Sequence, residues 1–136
     1  MAGEPLVSVL LPAYNDIEFV AEAVDSILGQ TYRNLEILVL IDLGSADGTA
    51  DYVKGLSDPR LSVIEHTEHR GIARSLNIGL RLAAGSYVAR MDADDVSLPT
   101  RIEKQVAFME SHPEVVLCGT HCQLFGDENW QHRDQI

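Results

Sequence analysis

The sequence has few basic residues for its size. Ten lysines and arginines stand against 21 aspartates and glutamates among 136 residues, which leaves a net charge of −11. A surface field of that sign repels polyanions, because phosphate backbones are bound by clustered positive charge. We therefore exclude nucleic acid as a partner.

Cysteine is also scarce. Cys118 and Cys122 flank His121 in a Cys-x3-Cys arrangement, which is not a ligand spacing that zinc sites favour. We expect both residues to be buried thiols in or beside a strand.

Long hydrophobic runs are missing. The longest, residues 7–11 and 37–41, have the length of strands, whereas a membrane-spanning helix needs about 20 apolar residues. The first residues lack the basic region and apolar stretch of a secretory signal. The sequence therefore predicts a cytoplasmic protein without a transmembrane segment.

Short apolar strands alternate with helical patterns along the chain. Strands are predicted over residues 7–11, 36–41, 61–65, 87–91 and 115–119, and helices over residues 20–28, 49–55, 71–84 and 99–111. This alternation is typical of βαβ units and predicts a mostly parallel, doubly wound α/β sheet. Asn15 or Asp16 is expected to cap the first helix.

Polar side chains follow several strands at their carboxyl ends, where ligands bind in open α/β sheets. They are Tyr14, Asn15 and Asp16 after the first strand, Asp42 after the second, and Asp92, Asp94 and Asp95 after the fourth. Mg²⁺ and Mn²⁺ typically take one or two carboxylates together with substrate phosphate oxygens. The last three acids therefore indicate a metal–diphosphate site, and a loop or helix-capping role for them stays open.

Two further segments have either a binding or a structural role. Residues 44–49 form a phosphate cradle or a tight turn, and they match neither the P-loop nor the dinucleotide fingerprint, which excludes a P-loop ATPase and a standard dinucleotide dehydrogenase. A small cationic segment contains His66, His69, Arg70 and Arg74. These residues meet phosphates at a helix N-terminus or remain in solvent.

Seven segments occur in a characteristic order: VSVLLPAYN (7–15), SILGQTY (26–32), EILV (36–39), DLGSADGT (42–49), GIARSLNIGL (71–80), MDADD (91–95) and LPTR (98–101). Over about residues 5–125 the chain resembles the family 2 nucleotide-sugar glycosyltransferases. The resemblance implies a truncated, Rossmann-like glycosyltransferase-A fold. Residues 1–125 would form the donor-binding domain, and residues 126–136 a polar tail or the start of a missing acceptor half.

The resemblance also implies an activity. Such enzymes transfer a sugar from a nucleotide diphosphate sugar, usually a uridine or thymidine diphosphate sugar, to an acceptor hydroxyl with inversion. The implied cofactor is Mn²⁺ or Mg²⁺, the acceptor a saccharide or a lipid-linked molecule, and the process polysaccharide or cell-surface glycan synthesis. A peripheral association of the full-length protein with a membrane stays open.

By similarity, Asp92 and Asp94 fall on the family's Asp-x-Asp motif, whose acids hold the metal and the donor's ribose or diphosphate. The nucleotide-binding residues are then expected to be Pro12, Ala13, Tyr14, Asn15, Asp42, Arg74 and Asp92. Family members often have a second aspartate after Asp42, where this chain has Leu43. The family's general base lies beyond the region where this chain stops, so no residue is assigned to that role.

Two other functions compete with sugar transfer. One is a non-catalytic or truncated module that binds nucleotide without transferring sugar. The other is a haloacid-dehalogenase-like phosphatase, because Asp92, Asp94 and Val96 superficially fit its nucleophile motif. That motif normally follows the first strand, whereas three βα units precede it here.

Overall fold

A computed structural model of the chain describes residues 3–69 and 71–126. The elements are β1 (Val7–Ala13), α1 (Val20–Leu28), β2 (Leu35–Ile41), α2 (Thr49–Lys54), β3 (Leu61–Glu65), α3 (Gly71–Leu82), β4 (Tyr87–Arg90) and α4 (Arg101–Ser111). All strands are parallel, in the order β3-β2-β1-β4. The prediction of a parallel α/β sheet is confirmed.

Both faces of the two central strands are buried, which explains their nearly continuous apolar sequences. Alternate residues of β1 and β2, such as Val9 and Ile37, belong to the larger core cluster, which also takes in apolar residues of α1, α2 and α4. Leu10, Leu38 and Leu40 form the smaller cluster on the opposite face, beside Leu76 of α3. The central strands thus form a rigid base for the loops at their carboxyl ends.

Gly79 allows α3 to lie close to the sheet. A Cβ atom at this position would lie 2.9 Å from Leu40 Cδ1 and 3.0 Å from Leu10 Cδ2. This close approach fixes the start of α3, and with it Gly71, beside the end of β2.

The first strand continues through Pro12 to Ala13, two residues beyond the predicted end. Leu10 is the last residue of β1 that pairs with β4. Because Pro12 would direct its backbone nitrogen to the same side as Leu10, its missing N–H breaks no bond of the sheet.

Neither expected residue caps α1 through its side chain. Phe19 is the N-cap and makes no side-chain capping bond, while the backbone carbonyl of Asp16 accepts from the Phe19 and Val20 amides. The side chains of Asn15 and Asp16 make other hydrogen bonds, described below.

Residues 115–119 do not form the predicted fifth strand. Within residues 3–69 and 71–126 no strand pairs with them, and Val116 is 92% exposed. A strand needs a neighbouring edge for its backbone groups, and an apolar run does not reveal whether that edge is present. The expectation of buried thiols is also wrong, because Cys118 is half-buried, Cys122 is exposed and both lie outside strands.

Candidate functional site

A cleft of about 250 Å³ opens at the carboxyl edge of the sheet. Its lining comes from the ends of β1, β2 and β4 and from the start of α3: Pro12, Ala13, Tyr14, Asp16, Leu40, Asp42, Gly71, Ile72, Ser75, Asp92, Ala93 and Asp94. The structure therefore brings together seven residues that the sequence singled out: Pro12, Ala13, Tyr14, Asp16, Asp42, Asp92 and Asp94.

Asp42 lies at the inner end of this cleft, with its side chain only 8% exposed. Oδ2 accepts a hydrogen bond from the Gly71 amide at 2.9 Å and lies 3.1 Å from His69 Nδ1, and Oδ1 accepts from the Leu43 amide at 3.0 Å. The His69 ring also meets Tyr14 edge to face, with ring centroids 5.9 Å apart. One end of the cleft thus presents an oriented carboxylate beside an exposed aromatic ring.

The loop after β1 is held by residues 44–49, the candidate phosphate cradle. Asn15 adopts φ 55°, its Oδ1 accepts from the Ala46 amide at 2.8 Å, and its own amide donates to Ser45 Oγ at 3.1 Å. Asp47 accepts from the amides of Ile17 and Thr49. Residues 44–49 do not line the cleft, so they act as a brace for the β1 loop.

The opposite end of the cleft is strongly acidic. Burial raises the pKa of Asp16, and repulsion by Asp94, Asp47 and Asp92 adds to this effect, against a lowering hydrogen bond from the Tyr14 amide. The pKa of Asp95 is also raised, first by burial and then by Asp94 and Asp92. A divalent cation would relieve this repulsion.

The carboxylates at this end of the cleft could hold Mg²⁺ or Mn²⁺ together with ligands from outside the protein. Asp92 and Asp94 offer hard oxygen ligands, but within the part of the chain that the structure describes no group of three His, Cys, Asp or Glu side chains could hold a metal. A cation at this edge would take two carboxylates from the protein and its other ligands from phosphate or water.

Gln30 lies just after α1 and anchors the loop that leads from Asp92, Asp94 and Asp95 to α4. Its side chain is fully buried. Nε2 donates to the carbonyls of Leu98 at 2.8 Å and Ser26 at 3.0 Å, while Oε1 accepts from the Ile102 amide at 3.0 Å. The glutamine therefore connects α1 to both ends of this turn.

Replacing Gln30 with leucine should lower the free energy of unfolding by about 2–4 kcal/mol, since a buried N–H and several carbonyls lose their partner. Urea unfolding followed by circular dichroism measures this change. Gln105→Leu is the matched control, because Gln105 is only half-buried and makes fewer bonds: its Oε1 accepts from Arg101 Nε at 3.1 Å and its Nε2 donates to the Cys118 carbonyl at 3.2 Å. An equal loss in the two variants would contradict the anchoring role.

Several sequence-predicted residues lie elsewhere. Asn15 does not line the cleft, and Arg74 is an exposed residue of α3 that does not line it either. His66 is buried, and its Nε2 has no hydrogen-bond partner among the described residues. Arg70 lies outside the described residues, as do residues 127–136 of the predicted tail.

Sequence reasoning missed the side of the cleft that α3 forms, which includes Gly71, Ile72 and Ser75. Ser75 is buried in α3, and Gly71 donates its amide to Asp42 with φ 67°. The glycine in a loop before a helix was the available signal for a special backbone conformation. Nothing local marked Ser75, because its position depends on how α3 packs on the sheet.

This fold is that of the glycosyltransferase-A enzymes. The sequence profile of "Glycosyl transferase family 2" matches residues 8–136, and the chain belongs to that family. The prediction from its motifs is confirmed, and the phosphatase alternative is wrong.

Two curated relatives illustrate the match. The putative glycosyltransferase EpsE of Bacillus subtilis is 42% identical over 131 residues, which cover 93% of this chain and 46% of the relative. The UDP-Glc:alpha-D-GlcNAc-diphosphoundecaprenol beta-1,3-glucosyltransferase WfaP of Escherichia coli is 38% identical over 106 residues, covering 78% and 42%. The chain thus spans less than half the length of these relatives.

Solved structures agree with this assignment. TarS 1-349 of S. aureus in complex with UDP-GlcNAc superposes with a TM-score of 0.74 at 26% identity, covering 79% of this chain and 32% of the TarS 1-349 chain. The mannosyltransferase PcManGT of Pyrobaculum calidifontis, in complex with GDP-Man and Mn²⁺, gives a TM-score of 0.66 at 35% identity, covering 78% and 32%.

Within the described residues no helix is both long and apolar enough to cross a bilayer.

Proposed function

We propose that the chain is the donor-binding part of a metal-dependent transferase that moves a sugar from a UDP- or dTDP-sugar to an acceptor hydroxyl. One observation carries this proposal: a single cleft has Tyr14 and Asp42 at one end and Asp92 and Asp94 at the other. A nucleotide sugar is divided in the same way, with an aromatic base at one end and a diphosphate at the other.

At the base end, the exposed ring of Tyr14 would stack on the nucleobase, and the Asp42 carboxylate would accept the N3–H of uracil or thymine. Pro12 and Ala13 would border the nucleoside through their backbone. We assign no nucleotide contact to Asn15, whose amide group holds the β1 loop, or to Arg74. The complexes of TarS with UDP-GlcNAc and the UDP-Glc donor named for WfaP support a uridine nucleotide.

At the acidic end, Asp92 and Asp94 would hold Mn²⁺ or Mg²⁺, and Asp92 would also face the donor's ribose or diphosphate. The bound cation would neutralise charge that develops on the diphosphate leaving group. Mn²⁺ in the PcManGT complex supports a divalent cation in a related enzyme.

We further propose inversion by direct displacement, with a carboxylate base that deprotonates the acceptor hydroxyl. The base and the acceptor site would belong to the remainder of a longer protein or to another polypeptide, in line with the length of the relatives.

The diphosphoundecaprenol-linked acceptor named for WfaP supports a lipid-linked or saccharide acceptor and a role in polysaccharide or cell-surface glycan synthesis. Peripheral membrane association would suit such an acceptor, and a cytoplasmic location stays a prediction.

A second candidate is a module that binds the donor without transferring sugar, favoured because the chain covers 46% of EpsE and 42% of WfaP. Release of UDP from UDP-glucose and UDP-GlcNAc, measured with Mn²⁺ and a lipid-diphosphate GlcNAc acceptor, separates the two. Acceptor-dependent release supports transfer. Donor binding without release supports the module, and absence of binding contradicts both.

Leu43→Asp should tighten UDP binding by up to about ten-fold, because a second carboxylate beside Asp42 would share the N3–H of uracil, the only N–H of that base, and such a contact is worth about 1–3 kcal/mol. Leu43 is 49% exposed, so the added charge is not buried and the melting temperature should hardly change. Calorimetry with UDP and CDP measures the effect, with Leu43→Ala as the control. Equal affinity of Leu43→Asp and Leu43→Ala for UDP would show that position 43 does not meet the base.

A further inference from the structure

Arg90 and Asp92 stand at the boundary between two clefts. Asp92 lines the cleft of about 250 Å³ at the carboxyl edge of the sheet, called the donor cleft below. Arg90 lines a second cleft of about 660 Å³. The second cleft lies between the end of β4, the start of α4 and residues 120–125. The two side chains meet across this boundary.

They form a forked ion pair. Arg90 Nε and Nη2 donate to Asp92 Oδ1 at 3.1 and 3.0 Å, and Nη2 also donates to Oδ2 at 3.0 Å. One planar guanidinium thus engages both carboxylate oxygens, which is the strong geometry for such a pair. These are the same oxygens that a divalent cation would use.

Arg90 differs in this respect from the neighbouring Arg101. Arg101 is fixed by hydrogen bonds to the Arg90 carbonyl at 2.8 Å and to Ser97 Oγ at 2.8 Å, so it holds the backbone of the loop. The Arg90 side chain is 56% exposed, and its backbone stays anchored by Arg101 when the guanidinium moves. Its release into the second cleft therefore requires only rotation of the side chain.

We propose that Arg90 is a built-in counter-ion of the acidic cluster formed by Asp92, Asp94 and Asp95. A divalent cation displaces the Arg90 guanidinium from Asp92 as the nucleotide donor binds. The inference rests on the metal-binding role proposed above for Asp92. Because guanidinium and cation compete for the same oxygens, the ion pair weakens the binding of free metal. Phosphate oxygens of the donor supply the further ligands that offset the displacement.

The test is Mn²⁺ binding in the absence of nucleotide, followed by electron paramagnetic resonance of the free ion. Arg90→Met keeps an apolar stem of similar length and should bind Mn²⁺ about three- to ten-fold more tightly than the unaltered chain. Arg90→Lys keeps the charge without the fork and should give a smaller gain. Lys104→Met is the matched control, because Lys104 lines the same second cleft.

Measurements at about 0.3 M KCl suppress the general effect of losing a distant charge, so Lys104→Met should change Mn²⁺ affinity by less than about two-fold. Melting temperatures confirm that the variants are folded. A gain in Arg90→Met no larger than that in Lys104→Met, with normal Mn²⁺–UDP binding by the unaltered chain, would overturn this inference alone. Failure of the unaltered chain to bind Mn²⁺ even with UDP would overturn the proposed metal site as well.

Discussion

Replacement of Asp94 with asparagine should remove most of the Mn²⁺-dependent part of nucleotide binding. Asp94 is an exposed acid of the donor cleft that contributes to the repulsion raising the pKa of Asp16 and Asp95. With at most two carboxylates available from the described residues, loss of one should weaken metal-supported UDP binding by about a hundred-fold, since even outer-sphere changes cost 10–100-fold.

Calorimetric titration of UDP with Mn²⁺ present measures this loss. Asp95→Asn is the control, because Asp95 belongs to the same acidic run but lines the second cleft instead of the donor cleft. We expect its effect to be at most a few-fold. Comparable losses in the two variants would show that the cluster acts through its total charge, and no loss in Asp94→Asn would remove it from the metal site.

Asp42→Asn should reverse the proposed preference for uracil over cytosine. The amide keeps an oxygen that can accept from the Gly71 amide and lie beside His69, while the Leu43 amide loses its acceptor Oδ1, a loss that affects every nucleotide alike. Its nitrogen would oppose the N3–H of uracil but would donate to the N3 acceptor of cytosine. A mismatch of this kind costs about 1–3 kcal/mol, so UDP binding should weaken by at least about ten-fold.

The measurement is the ratio of the UDP and CDP dissociation constants for the unaltered chain and the variant. CDP serves as the internal control, because its affinity should stay equal or improve. Equal weakening of both nucleotides would mean that Asp42 only supports the loop before α3. An unchanged ratio with unchanged affinities would place the base elsewhere.

The sequence predicted all eight elements of the fold, because each has a strong local pattern. The apolar runs of β1 and β2 are nearly continuous, since both faces of these strands are buried. Asp42 and Asp92 were expected at one edge for a topological reason, namely that parallel strands end on the same side of a sheet.

The remaining features depend on contacts between distant parts of the chain. Gln30 bonds to Leu98, 68 positions away, and Asn15 bonds to Ala46, 31 positions away. Local patterns cannot reveal such pairs, so the sequence predicts a helix cap or a ligand contact for Asn15. The prediction of a strand over residues 115–119 is wrong for the same reason. Their apolar sequence forms a strand only where a neighbouring strand offers an edge.

The most direct test of the account is calorimetric titration of UDP into the unaltered chain with Mn²⁺ and then with EDTA. If Asp92 and Asp94 share a cation with the diphosphate while Tyr14 and Asp42 hold the base, Mn²⁺ should tighten UDP binding by at least about ten-fold. Equal UDP affinity in Mn²⁺ and in EDTA, or no UDP binding in either, would contradict the account.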